Sequence, residues 1–232
     1  MNLKIKLACA LSIIGISFSE FAIADLYIFG NSSFSRDNGL NITTSTGDFF
    51  VSNSDSGWWA SSAGHDAEND NYIAGKCCDI ANHNNFFTFD LSAVSGNVIS
   101  ASLTLYSYDV IGSSIEYQLF DITSPLTDVR TSGTNVSVYN DLMSGLSYGT
   151  FMYNPSDSDQ TRTLVLNSNG ISDLNDAIGG GFGIGGTITG GVEMPPPVPE
   201  PETYLMWLGG LGLIGFWGYR RKKLLPNSIL LA

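Results

Sequence analysis

Val98-Ile99-Ser100-Ala101-Ser102-Leu103-Thr104-Leu105-Tyr106-Ser107 alternates apolar and polar side chains. Ile99, Ala101, Leu103 and Leu105 fall on one face, and Ser100, Ser102, Thr104 and Tyr106 on the other. That period of two belongs to a strand with one face in a core and one in solvent. Shorter runs flank it: 85–90 (Asn-Phe-Phe-Thr-Phe-Asp), 116–123, 147–153 and 161–167, each bounded by Gly, Asn, Ser or Pro. Weaker strand candidates are 26–29, 48–51 and 182–189. Residues 137–143 and 171–178 read as single helical turns, the second with Ser172 near its start and Gly179 to stop it. Short strands at this spacing, with few long helices, predict an all-β domain over 25–191, a β-sandwich of jelly-roll type.

The chain carries a net charge of -12. Between Asp25 and Pro199 the only basic residues are Arg36, Lys76, Arg130 and Arg162, and of the 22 acidic residues only Glu20, Glu200 and Glu202 fall outside that stretch. Such a surface repels phosphate and favours solubility or divalent cations, so no nucleic acid is expected as a partner.

Cys77 and Cys78 are adjacent and cannot staple distant strands; they form a vicinal disulfide, cross-link molecules, or serve as core residues. His65 and His83 flank them, but the Cys-x-x-Cys spacing of zinc sites is absent. Asp66, Glu68 and Asp70 alternate in one loop and are candidate ligands for a structural calcium. The loop is no EF-hand, since its sixth position is Asn71 and its twelfth Cys77; the alternative is a solvated acidic loop. Trp58, Trp59 and Tyr72 lie near those acids, and aromatic faces beside carboxylates stack on sugar rings, which makes them candidate glycan contacts. The alternative is that the tryptophans plug one end of the sandwich. Carboxylates for glycoside cleavage are present in number, but no nucleophile elbow, phosphate loop or metalloprotease motif occurs, so no enzymatic activity is expected.

The ends of the chain have a different composition. Lys4 and Lys6 precede an apolar stretch over 7–18, and Ala22 and Ala24 place small side chains where a signal peptidase reads them. A removable signal peptide over 1–24 follows, with Asp25 as the mature start. Cys9 comes too early for a lipoprotein signal. At the other end, a Pro-rich linker over 192–203 is held extended by Pro195, Pro196, Pro197, Pro199 and Pro201. Residues 204–219 carry no charge and make a helix of roughly 24 Å, short of a hydrocarbon core of about 30 Å. Trp207, Trp217, Tyr204 and Tyr219 suit the headgroup levels, and a basic tail over 220–232 starts with Arg220, Arg221, Lys222 and Lys223. Positive residues stay cytoplasmic, so the body stands on the far side of the membrane, in agreement with the signal peptide.

Val198-Pro199-Glu200-Pro201, a short apolar helix rich in Gly and Trp, and Arg220-Arg221-Lys222-Lys223 together resemble the tripartite PEP-CTERM sorting signal. The resemblance covers about the last 35 residues. It implies recognition of Pro199, Glu200 and Pro201 by an exosortase, a membrane cysteine protease that cuts near the motif. By the same resemblance the product is a surface or extracellular-matrix protein of a Gram-negative exopolysaccharide producer, with a structural or adhesive role in a biofilm. Exopolysaccharide becomes an expected partner and a carbohydrate-binding module the alternative function. The tail departs from the pattern by continuing past the basic cluster to Ala232. The body also resembles ectodomains attached to such tails, in Gly57-Trp58-Trp59, Gly64-His65, Asn71-Tyr72 and 85–92; no catalytic residue travels with that likeness.

Overall fold

The computed structural model describes residues 25–31, 38–62, 64–77, 81–193, 210–214, 216–217 and 219. Contacts divide the chain into a unit ending at Met194 and a second from Pro195 onward. The strands of the first unit are β1 Leu26–Asn31, β2 Gly39–Thr44, β3 Gly47–Ser52, β4 Asp55–Ala60, β5 Gly64–His65, β6 Asn71–Lys76, β7 Asn82–Asp90 and β8 Val98–Ser107. They continue as β9 Asp109–Ile111, β10 Ser113–Asp121, β11 Gly133–Thr134, β12 Ser147–Tyr153, β13 Gln160–Val165 and β14 Gly181–Val192. Three short helices interrupt them: α1 Leu126–Val129, α2 Val136–Asp141 and α3 Ser168–Ala177.

The unit is mostly β, and every strand pairing is antiparallel. A curled large sheet runs β12-β10-β14-β7-β6-β1-β9 with β4 also on β7, and a smaller one runs β13-β8-β2-β3. Alternation along β8 sends Ala101, Leu103 and Leu105 inward, where with Leu40, Ile42 and Leu164 they meet Ile28, Tyr72, Phe87, Phe89, Tyr117 and Ile184 of the large sheet. Each large apolar side chain closed off in this way contributes about 1.5–3 kcal/mol against the cost of ordering it. On the opposite face of β7, Phe86 joins Trp59, Val129, Val138 and Leu142 in a second, smaller core beneath α1 and α2.

Ile99 does not join the inward face. Thr43 pairs with Ser100 and Thr44 with Val98, so Ile99 is the additional residue of a β-bulge. It stands 64% exposed, and Val98 takes the core position.

Among the described residues no helix is long and apolar enough to cross a membrane. Of the expected span over 204–219, residues 210–214, 216, 217 and 219 are described and helical, with Leu213, Ile214 and Trp217 exposed. Ala22, Ala24, Pro199, Glu200, Pro201, Arg220, Arg221, Lys222 and Lys223 lie outside the described residues.

Candidate functional site

The strand at the centre of the large sheet begins with four polar residues, Asn82-His83-Asn84-Asn85, before turning apolar at Phe86. Buried polar side chains are costly unless bonded, and these are bonded. His83 Nδ1 lies 3.1 Å from Gly75 O and acts as donor to that carbonyl. Asn84 Nδ2 donates to Tyr139 O at 3.1 Å, while its Oδ1 accepts from Thr187 Oγ1 at 2.6 Å. Asn85 Nδ2 donates to Tyr117 Oη at 2.9 Å.

The register explains why polar residues collect there. Ala60 and Gly75 both pair with His83, so β4 and β6 lie on opposite edges of β7. β14 pairs over residues that β4 also flanks, so it shares the β6 edge, and its register with β7 ends at Gly186 opposite Asn85. Beyond that point β14 follows β10, while β6 takes over the edge at His83 and Asn82. The sheet therefore forks, and the fork opens into a cavity of about 560 Å³. His83, Asn84 and Thr187, all buried, form its base; Tyr139 and Met143 stand on one side, and Lys76, Asn82, Thr189 and Glu193 contribute to the rim.

The aromatic residues expected to stack on sugars lie elsewhere. Trp59 is buried in the smaller core, donating from Nε1 to Val129 O at 3.0 Å. Tyr72 is buried in the larger core and donates to Tyr106 O at 2.7 Å. Neither ring face is open to a sugar, because strands β4 and β6 are covered on both sides. Trp58 is half-buried, edge-on to His83 with ring centroids 4.8 Å apart. Trp59 thus fills the smaller core on the outer face of the large sheet, and Trp58 covers His83.

Asp66 and Glu68 are exposed and Asp70 half-buried. Asp66 Oδ1 is occupied by the backbone N–H of Glu68 at 3.0 Å. Among the described residues no three His, Cys, Asp or Glu side chains gather closely enough to hold a metal ion. Cys77 is disulfide-bonded, so it offers no thiolate to zinc. His65 packs between Trp59 and Phe86, at 5.1 and 5.3 Å between ring centroids.

The family model described as the PEP-CTERM protein-sorting motif matches residues 197–222. The chain carries a PEP-CTERM sorting motif. That motif marks a PEP-CTERM protein as exported and as a substrate for an exosortase. No curated protein and no solved structure matches the chain.

The body of the chain has a second, acidic cavity of about 380 Å³ near Asp121, Asp173 and Asp176. Burial pushes the Asp121 carboxyl above the usual carboxylate range, assisted by the charges of Asp173 and Asp141 and opposed by the Leu146 N–H. Both carboxylates act as struts. Asp121 Oδ1 accepts from Leu146 N at 2.7 Å, and Gly145 is required there because a Cβ would stand 2.1 Å from that oxygen. Asp173 Oδ2 accepts from Tyr148 Oη at 2.8 Å. The sequence reading had not singled out the fork residues Lys76, Asn82, Asn84, Thr187 and Thr189. The signal available for them was an amide-rich run placed directly before a Phe-Phe pair.

Proposed function

We propose that this PEP-CTERM protein is a non-enzymatic structural or adhesive component of the cell surface or exopolysaccharide matrix. The single observation that carries the reading is the sorting motif at 197–222. The precursor is directed out by the signal peptide over 1–24 and held at the inner membrane by the segment over 204–219, with Arg220, Arg221, Lys222 and Lys223 on the cytoplasmic side. The exosortase then cuts near Pro199, Glu200 and Pro201 and releases the body, a sandwich that we assign to the jelly-roll type. A structural role is supported by how the carboxylates and Trp59 are engaged: Asp121 braces the turn at Leu146, Asp173 ties α3 to β12, and Trp59 fills a core.

Deletion of residues 199–201 tests the sorting step. The expected outcome is a full-length precursor that stays in the membrane fraction, while the unaltered chain reaches the matrix fraction shortened at both ends by mass spectrometry. A deletion variant cut and exported as before overturns the reading.

A further inference from the structure

The fork cavity is the feature that neither sorting nor packing accounts for. A sheet that served packing alone would carry apolar residues along its central strand, yet β7 opens with amides and an imidazole at the point where β6 and β14 part. A departure from the apolar pattern at the mouth of a cavity indicates a binding role. The cavity volume of about 560 Å³ lies within the range of small-molecule sites.

Its lining selects the ligand class. Among the described residues that line it, Lys76 and Glu193 are the charged ones and are of opposite sign, so that lining offers no net charge to hold an ion. The chain as a whole, at -12, repels anions. A purely apolar ligand would strip water from Asn82 and Thr189, both exposed, without replacing their hydrogen bonds. Amide and hydroxyl groups at base and rim, with Tyr139, Met143 and Ile188 offering apolar surface, match a molecule that is hydroxylated at its edges and carries C–H groups on its faces.

We propose that the fork cavity between β6, β7 and β14 binds a neutral sugar unit, through Asn82 and Thr189 at its mouth over the Asn84–Thr187 pair at its base. The inference rests on the proposed surface role for the setting in which such sugars are met. It places the ligand away from Trp59 and Tyr72.

Saturation-transfer NMR and calorimetry on the full chain test it, with glucose, galactose, mannose and N-acetylglucosamine as neutral probes, glucuronate as an anionic one and neutral tetrasaccharides as chain fragments. At least one neutral sugar is expected to bind and glucuronate to bind more weakly. A tetrasaccharide that binds more tightly than its monomer identifies a polymer as the source, and equal binding identifies free sugar. Asn82→Ala combined with Thr189→Ala, both at exposed positions, is expected to weaken binding about tenfold or more, the loss of one or two hydrogen bonds. The proposal is overturned if no neutral sugar binds, if glucuronate or an unstructured peptide binds as well as the best sugar, or if the double variant binds undiminished while its circular dichroism is unchanged. Absence of sugar binding with normal export and processing removes this site and leaves the surface role. Sugar binding by a chain that is never processed does the reverse.

Discussion

His65 enters the fold as a neutral ring. Its Nδ1–H donates to Trp58 O at 2.9 Å, and its faces lie against Trp59 and Phe86. Burial lowers its pKa, outweighing the Trp58 carbonyl and the charges of Asp55 and Asp66, which act the other way. In the unfolded chain the ring titrates near its ordinary value of about 6.5. As pH falls through that value the unfolded state takes up a proton that the folded state still refuses, so this contribution to stability is full above it and is lost toward the folded pKa. The expected outcome is a melting temperature that drops between about pH 7.5 and pH 5.5, with the drop smaller in His65→Gln. Equal drops in both proteins would show that His65 plays no part. Asp55 and Asp121 have raised pKa values and shift stability in the opposite direction over acid pH, which is why the comparison between the two proteins is the reading that counts.

The third helix shows how an element is fixed by the residue before it. Asn167 Oδ1 accepts from Asn169 N at 2.9 Å and Gly170 N at 3.3 Å, and Asn167 Nδ2 reaches Ser147 O at 2.8 Å, so one side chain caps α3 and ties it to β12. Asn167→Ala is expected to cost about 1 kcal/mol, seen as a lower urea midpoint with an unchanged slope. A changed slope would mean that the cap also limits the unfolded state. Elements with a clean alternation were legible from the sequence, and β8 and β12 have the bounds that pattern predicts. β4 and β6 were not, because Trp58-Trp59 and Tyr72-Ile73-Ala74 are covered on both faces and have no period of two to read. The start of β7 was hidden by its composition. Asn82 and Asn84 read locally as turn formers, and only the pairing with β4 and β6 places them in a sheet. The same property hid the fork cavity, since its residues come from strands distant in sequence. Ile99 was placed on the wrong face because a bulge depends on the partner strand.

Across the first unit, stability is divided between two cores on opposite faces of one sheet. The larger core draws on both sheets, whereas Val129, Val138 and Leu142 of the segment between β10 and β12 contribute only to the smaller. That segment is attached through Trp59 Nε1 to Val129 O, Asn84 Nδ2 to Tyr139 O, Ala67 N to Ser132 Oγ and the short β5–β11 pairing, while the Asp141 carboxylate braces the segment's own start by accepting from the N–H groups of Thr123 and Ser124 at 3.0 and 2.8 Å. Its approach to the sheet depends on Gly185, where a Cβ would stand 2.7 Å from Leu142 O. A layer with its own small core and few ties opens at lower free energy than the sheets beneath it. Leu142→Ala removes a fully buried side chain from that layer, a change that costs about 2–5 kcal/mol where the site cannot collapse. The expected result in hydrogen exchange is faster exchange at Arg130, Tyr139 and Leu142, whose N–H groups bond within the layer, and unchanged protection along β2 and β8. Uniformly faster exchange throughout would show instead that the layer and the sheets unfold as one unit. Tyr139 and Met143 also border the fork cavity, so the same variant is expected to loosen that cavity while leaving the strands that form its base in place.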